Sequence, residues 1–350
     1  MEKYFAAANT EAGFCSLFCE VFSPERLRRI YILKGGPGTG KSTLMGKIGS
    51  VAEEKGYDVE YIACSSDPRS LDGVLIPALS VAVLDGTAPH MTDPLYPGVS
   101  EHMVNLEEAF DCAMLEKRRE EIISLIRAKK EAYRTAYRFL EAAGRIETER
   151  AALISSCFLR EKAEAAVNRL LDSFHHTRKG EQKQRYISAI SCEGMQTLDT
   201  LRKRAKKIFA VTDKHGLGYY FMNTLYEKVL AEKLAAVVCP SPLICANKEA
   251  IFLEGENVLF MLSEEKNTVE TDKIINCMRF IQKKDISERK GRIRFSEKCE
   301  EAVLDGAMEA LSEAGEFHKK TEKIYGSYVD FSKIDAIRER MISEIFANKM

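Results

Sequence analysis

The segment Ile30-Tyr31-Ile32-Leu33-Lys34-Gly35-Gly36-Pro37-Gly38-Thr39-Gly40-Lys41-Ser42-Thr43-Leu44 constrains this chain more than any other stretch. From Gly35 to Ser42 it matches the P-loop pattern G-x-x-x-x-G-K-[ST]. The apolar run Ile30 to Leu33 reads as a buried parallel strand. After the loop, Leu44, Met45, Ile48, Val51 and Ala52 recur at helical spacing between Ser42 and Tyr57. Strand, glycine loop and helix in that order give the pattern its meaning. Glycines let the backbone curl so that N–H groups converge on one concavity, and side chains there would block it. The helix N-terminus adds its partial positive charge.

Gly35, Gly36, Pro37, Gly38, Thr39, Gly40, Lys41, Ser42 and Thr43 are therefore the expected cradle for the phosphates of a nucleoside triphosphate. Lys41 is expected to reach the β- and γ-phosphates, and the Ser42 hydroxyl to ligate Mg2+. Such a site also needs a carboxylate at the end of a neighbouring strand. The run Leu79-Ser80-Val81-Ala82-Val83-Leu84-Asp85 supplies one, making Asp85 the second expected metal ligand. The loop Ser65 to Asp72 follows a predicted parallel strand, at the end where open α/β sheets bind ligands. Asp67 in that loop is the candidate for orienting water or joining the magnesium shell, unless Asp67-Pro68 is only a turn. Beyond Asp85, Gly86 offers backbone room, and Thr87 or His90 is placed to sense a γ-phosphate.

An internal repeat is visible. Arg28-Arg29-Ile30-Tyr31-Ile32-Leu33 lies over Lys206-Lys207-Ile208-Phe209-Ala210-Val211. Continued without a gap, Gly38 meets Gly216, Gly40 meets Gly218, Lys41 meets Tyr219 and Ser42 meets Tyr220. Asp213 stands opposite Gly35, and Ser263 opposite Asp85. Arg138 to Ile146 is set against Tyr328 to Ile334. The expected fold class is α/β: a P-loop NTPase-type parallel sheet core with a long helical hairpin, duplicated as a second, degenerate P-loop-like lobe. The expected division is 1–180, with a helical hairpin over about 104–176, and 181–350, with a hairpin over about 296–348. Gly144 marks the expected turn of the first hairpin. Arg118, Arg119 and Arg127 on its outer face read as solvated charge or as a lid carrying arginines.

Lysine plus arginine number 52 and aspartate plus glutamate 53, for a net charge of −1. No global electrostatic case for nucleic acid or an anionic membrane follows. The denser basic run Lys283, Lys284, Arg289, Lys290, Arg292 and Arg294 lacks interleaved aromatics for single-strand stacking. Ten cysteines include no C-x-x-C pair, and no secretory leader opens the sequence, so a reduced cytoplasmic location without a membrane span is expected.

At the glycine loop, at Cys64-Ser65-Ser66-Asp67-Pro68 with Ser70-Leu71-Asp72-Gly73, and at Asp85-Gly86-Thr87-Ala88-Pro89-His90, the chain resembles a sparsely characterised family of bacterial two-lobed P-loop proteins. Asn9-Thr10 with Gly13-Phe14 is similar as well. Members are described only as ATP-binding proteins or ATPases. The resemblance implies ATP binding and names no physiological substrate or partner. Family members tend to carry a second P-loop, which is degenerate here.

Three functions are consistent with these residues. The first is a magnesium-dependent ATPase with one competent site, whose ATP state is coupled to a protein partner. The second is a P-loop kinase of a small molecule or nucleotide. The third is a nucleotide-gated binding module without turnover. The absence of L-S-G-G-Q, N-K-x-D, H-R-D and D-F-G motifs argues against ABC ATPases, GTPases and protein kinases.

Overall fold

A computed structural model describes residues 2–88, 93–174, 178–212, 214–263 and 271–347. His90 and Asp213 lie outside the described residues, as do the side chains of Lys283 and Lys284.

The first half of the chain runs β1 (Glu2–Phe5), β2 (Ala7–Thr10), β3 (Gly13–Ser16), α1 (Phe18–Val21), β4 (Arg29–Lys34) and α2 (Lys41–Glu54). It continues through β5 (Glu60–Ala63), β6 (Leu71–Ile76), β7 (Val81–Asp85), β8 (Glu101–Asn105), α3 (Cys112–Lys117), α4 (Arg119–Ser155) and α5 (Arg160–Leu171). The second half runs β9 (Gln182–Gln184), β10 (Ser188–Ser191), β11 (Gly194–Thr197), α6 (Thr200–Arg204), β12 (Lys207–Thr212) and α7 (Leu217–Ala231). It ends with β13 (Ala236–Pro240), β14 (Lys248–Leu253), β15 (Val258–Ser263), β16 (Lys273–Ile275), α8 (Lys283–Gly326) and α9 (Phe331–Ala347).

Two six-stranded sheets result, ordered β1-β5-β6-β7-β4-β8 and β9-β13-β14-β15-β12-β16. Each position of the second sheet holds the strand eight places later in the chain, so the topology repeats strand for strand. Both sheets are mixed rather than parallel. β6 runs antiparallel to β5 and β7, and β14 to β13 and β15, while the other pairings are parallel. The expected parallel core is thus mostly parallel, with one antiparallel strand inside each sheet. Apolar residues from Gly73 to Ile76 form a strand of their own, and Pro77–Leu79 with left-handed Ser80 turns it back onto β7.

Strand alternation sorts the core into layers. Tyr31 and Leu33 of β4 face α2, in a cluster with Leu44, Met45 and Ile48. Ile30 and Ile32 face the other way, into a core shared with Phe252, Leu259 and Met261 of the second sheet and Phe18 and Leu201 of the short helices. Burying one such side chain contributes about 1.5–3 kcal/mol, so this common core makes the two sheets one folded body.

The helices exchange partners. α9 packs on the first sheet and α2 through Ile334, Met341 and Ile345. α5 packs on the second sheet through Ala163, Val167 and Leu171. Between them α4, of 37 residues, and α8, of 44, pair along Ala136, Leu140 and Ala143 against Ala307, Ala310 and Leu311. A cut near residue 180 therefore separates each sheet from one of its covering helices.

Gly144 is not a turn. It lies inside α4, where a Cβ would meet Glu11 Cβ at 2.4 Å, so the glycine admits the β2–β3 turn to the helix. Gly315 of α8 admits Cys192 of the β10–β11 turn in the same way, with a Cβ contact of 2.9 Å. The chain reverses instead at 156–159. The match of 138–146 with 328–334 also fails, because the first lies within α4 and the second spans the turn into α9. No described helix is long and apolar enough to cross a membrane.

Candidate functional site

The site grows from the junction of β4 and α2. Gly40 takes the left-handed conformation, φ 81° and ψ 17°, directly before the first helical residue. That sharp reversal brings Lys41 back over the loop. The Lys41 ammonium donates to the carbonyls of Gly35 at 2.8 Å and Gly36 at 2.9 Å, and stands 3.6 Å from Asp85 Oδ2. Only 8% of Lys41 is exposed, so the charge is held by these oxygens and not by bulk water. Thr39 Oγ1 donates to the Gly36 carbonyl at 2.8 Å.

Asp85 ends β7 beside Leu33 of β4. Its Oδ1 accepts from the backbone N–H and the hydroxyl of Thr87, at 2.8 and 2.6 Å, which leaves Oδ2 turned toward Lys41. Thr87 thus orients the carboxylate. Gly86 is needed for packing: a Cβ there would lie 2.3 Å from Ile32 Cγ2. Ser42 Oγ accepts from Leu71 N at 2.9 Å, tying the helix to β6. Thr43 is exposed.

Asp67 is held by Arg69. Its Oδ1 accepts from the Arg69 backbone N–H at 3.2 Å and Nε at 3.1 Å. Burial pushes its carboxyl up, but the Arg69 hydrogen bonds and charge outweigh this and leave it below the usual range. Arg69 also pairs with Glu193 at 2.9 Å.

The second half of the molecule covers the loop. The turn between α8 and α9 is stitched to the segment after β8: Asp111 N donates to Tyr328 O at 2.9 Å, and Asp330 N to Ala109 O at 2.8 Å. Tyr325 and Phe110 have ring centroids 5.4 Å apart and meet the space above Gly36, where a Cβ would find them at 3.1 and 3.3 Å. At Gly38, with φ +75°, a Cβ would lie 2.5 Å from the Glu322 carbonyl oxygen. Phe331 approaches Gly40.

This cover brings three groups that sequence reading missed. The ring of His318 sits with Nε2 3.5 Å from Glu322 and Nδ1 3.4 Å from the Lys129 ammonium of α4. Burial, then the charges of Lys129 and Lys41, holds the His318 imidazole down to about 4. Burial and Asp67 raise Glu322, against the opposing pull of Lys41, Lys129 and Lys319. The only local signal was the i, i+4 spacing of His318 and Glu322 on one helix face. Nothing in it points to a loop almost three hundred residues earlier. Of the expected lid arginines, Arg118 pairs with Glu121, while Arg119 and Arg127 are exposed.

In the second half, α7 begins at Leu217 behind left-handed Gly216, φ 83° and ψ 8°. The residue that follows the left-handed glycine is thus Leu217, fully buried, and not Tyr219. The gapless alignment is corrected because the chain from strand end to this glycine is two residues shorter than in the first loop. The loop faces a cavity of about 110 Å³ lined by Glu147, Arg150, His215, Tyr219, Asn223 and Asn247 among others. His215 pairs with Glu297 at 2.6 Å, and the Arg150 cation is countered by Glu300. Of the basic run in α8, Arg289 bonds Leu153 O and Ser156 Oγ, whereas Lys290, Arg292 and Arg294 are exposed.

Among the described residues no cluster of three or more His, Cys, Asp or Glu forms a metal cage. Comparison with protein-family models, with curated proteins and with solved structures returns no match.

Proposed function

We propose that the first half of this protein binds a nucleoside triphosphate, with ATP and Mg2+ the simplest ligands, at the loop Gly35 to Thr43, and hydrolyses it. One observation carries the reading: Lys41, buried behind left-handed Gly40, stands 3.6 Å from Asp85 on the adjacent parallel strand. A cation held by two loop carbonyls and one carboxylate is poised to exchange those oxygens for phosphate oxygens.

The oxygens present suit magnesium, which prefers hard ligands and takes one or two protein groups beside phosphates and water. The Ser42 hydroxyl and the Asp85 oxygen Oδ2, which here faces Lys41, would hold it, and it would neutralise charge developing between the β- and γ-phosphates. Lys41 supplies charge to the same oxygens. Thr87 holds the Asp85 carboxylate in a single orientation. Asp67, bound by Arg69, is the carboxylate of the β5–β6 loop and the candidate for orienting water.

The second half supplies the α8–α9 cover and lacks a lysine after its own left-handed glycine. This favours one competent site with a structural counterpart. A protein partner coupled to the nucleotide state remains part of the proposal.

The test is release of ADP and phosphate from MgATP by wild type and Lys41→Ala, with bound nucleotide measured in parallel. Turnover that disappears in Lys41→Ala supports the reading. Nucleotide binding without turnover would favour phosphoryl transfer to an acceptor or a gated binding module. No nucleotide binding by the wild type would overturn it.

A further inference from the structure

We infer that Lys129, carried on α4, reads the terminal phosphate of a nucleotide held at the Gly35–Thr43 loop, so that the paired helices complete the site within one chain. The inference rests on the proposed function of that loop.

A continuous chain of contacts leads from the loop to Lys129. The Glu322 carbonyl lies against Gly38. The Glu322 carboxylate is 3.5 Å from His318 Nε2, and His318 Nδ1 is 3.4 Å from Lys129 Nζ. Glu322 thus touches the loop through its backbone, and its carboxylate stands in the field of Lys41, Lys129 and Lys319. An anion of higher charge entering the loop would take over the role of this carboxylate toward the same cations.

Other cations nearby are committed. Lys34 donates to Gly86 O at 2.8 Å. Arg69 is shared between Asp67 and Glu193. Arg118 pairs with Glu121. Lys319 is exposed to water. Lys129 is different: it is half-buried, its ammonium meets the ring nitrogen Nδ1 of His318 at 3.4 Å, and among the described residues no carboxylate lies within ion-pair distance. Burial pulls its pKa down, with Glu322 opposing, as expected for a cation that lacks a full counter-charge. The γ-phosphate of a nucleotide at the loop would supply that charge.

Lys129→Met keeps the aliphatic stem against α8 and removes the charge, and Lys129→Arg keeps the charge. Equilibrium binding of a non-hydrolysable ATP analogue and of ADP, each with magnesium, would be measured for wild type, both variants and Lys41→Ala. Unfolding midpoints would show that each variant is folded. The expected result is an analogue Kd raised roughly tenfold to a hundredfold in Lys129→Met, with ADP changed by no more than about threefold and most of the loss recovered in Lys129→Arg. Analogue and ADP affected alike, or neither affected, would overturn the assignment of Lys129 while leaving the loop reading intact. A wild type that binds neither nucleotide would overturn both.

Discussion

Phe5 and Tyr186 exchange both of their backbone hydrogen bonds, each N–H donating to the other's carbonyl at 2.9 Å. Phe5 ends β1 and Tyr186 stands two residues beyond β9, each two residues before the next strand, so the two repeats meet through equivalent residues. The contacts beside them are also reciprocal. Glu11 N donates to Leu243 O at 3.1 Å, and Cys192 N to Ser66 O at 3.2 Å. The hairpin of each half thus reaches the loop that follows the fifth-place strand of the other. Arg185 adds a buried ion pair to Glu60 across the same seam. Breaking such a pair costs about 3–5 kcal/mol, so the repeats are held as one unit while their loops stay at opposite ends of the α4–α8 pair.

Asp85→Asn is expected to lower ATP turnover by roughly 10²- to 10³-fold. The amide keeps the acceptor for Thr87 and leaves Lys41 its two carbonyl partners, but it removes the charge that would hold the metal. Turnover measured against magnesium concentration checks this. A profile like that of wild type would exclude Asp85 from the metal site.

Gly38→Ala and Gly216→Ala separate loop conformation from the helical cover. Both glycines have positive φ, 75° and 83°. A Cβ at Gly216 meets nothing within 4 Å, so that variant should lose only about 1 kcal/mol. A Cβ at Gly38 collides with the Glu322 carbonyl, and the additional loss should be about 1–3 kcal/mol, with the end of α8 displaced. Urea unfolding compares the two. Equal losses would show that the α8 end does not bear on the loop in solution.

Glu249 predicts a pH effect. Burial, partly offset by Ser188, pushes its carboxyl from 4.5 up to about 8, and its Oε1 has no hydrogen-bond partner. Between those values the native state keeps a proton that the unfolded state has lost. The contribution is therefore present below pH 4.5, falls as pH rises, and is gone above about 8. Glu249→Gln cannot ionise, so its stability should vary less across that window and exceed that of wild type at pH 9 by up to a few kcal/mol. Denaturant titrations at several pH values read this directly. A variant with the slope of wild type would refute it.

How much was legible follows from the range of each signal. The strand before Gly35, the helix after Gly40, the Asp at the end of β7 and the existence of a repeat are written in short periodic patterns, and the structure brings Lys41 and Asp85 together. Misreadings arose where a local signal had two meanings. Gly144 looked like a turn because glycine weakens a helix, but it serves a close approach by Glu11. The parallel core expected around the glycine loop carries β6 antiparallel to β7, because Pro77–Leu79 and left-handed Ser80 reverse the chain between them.

By itself the sequence determined the secondary elements around the glycine loop, the cation and the carboxylate, because hydrophobic period and backbone freedom act over a few residues. Tertiary structure alone decided that α8 covers the first loop, that α9 and α5 change halves, and that Lys129 of α4 meets the His318–Glu322 pair on the part of α8 that reaches Gly38. These depend on contacts between segments far apart in the chain. Such contacts are chosen by which apolar faces can be buried together, and no local pattern records that choice.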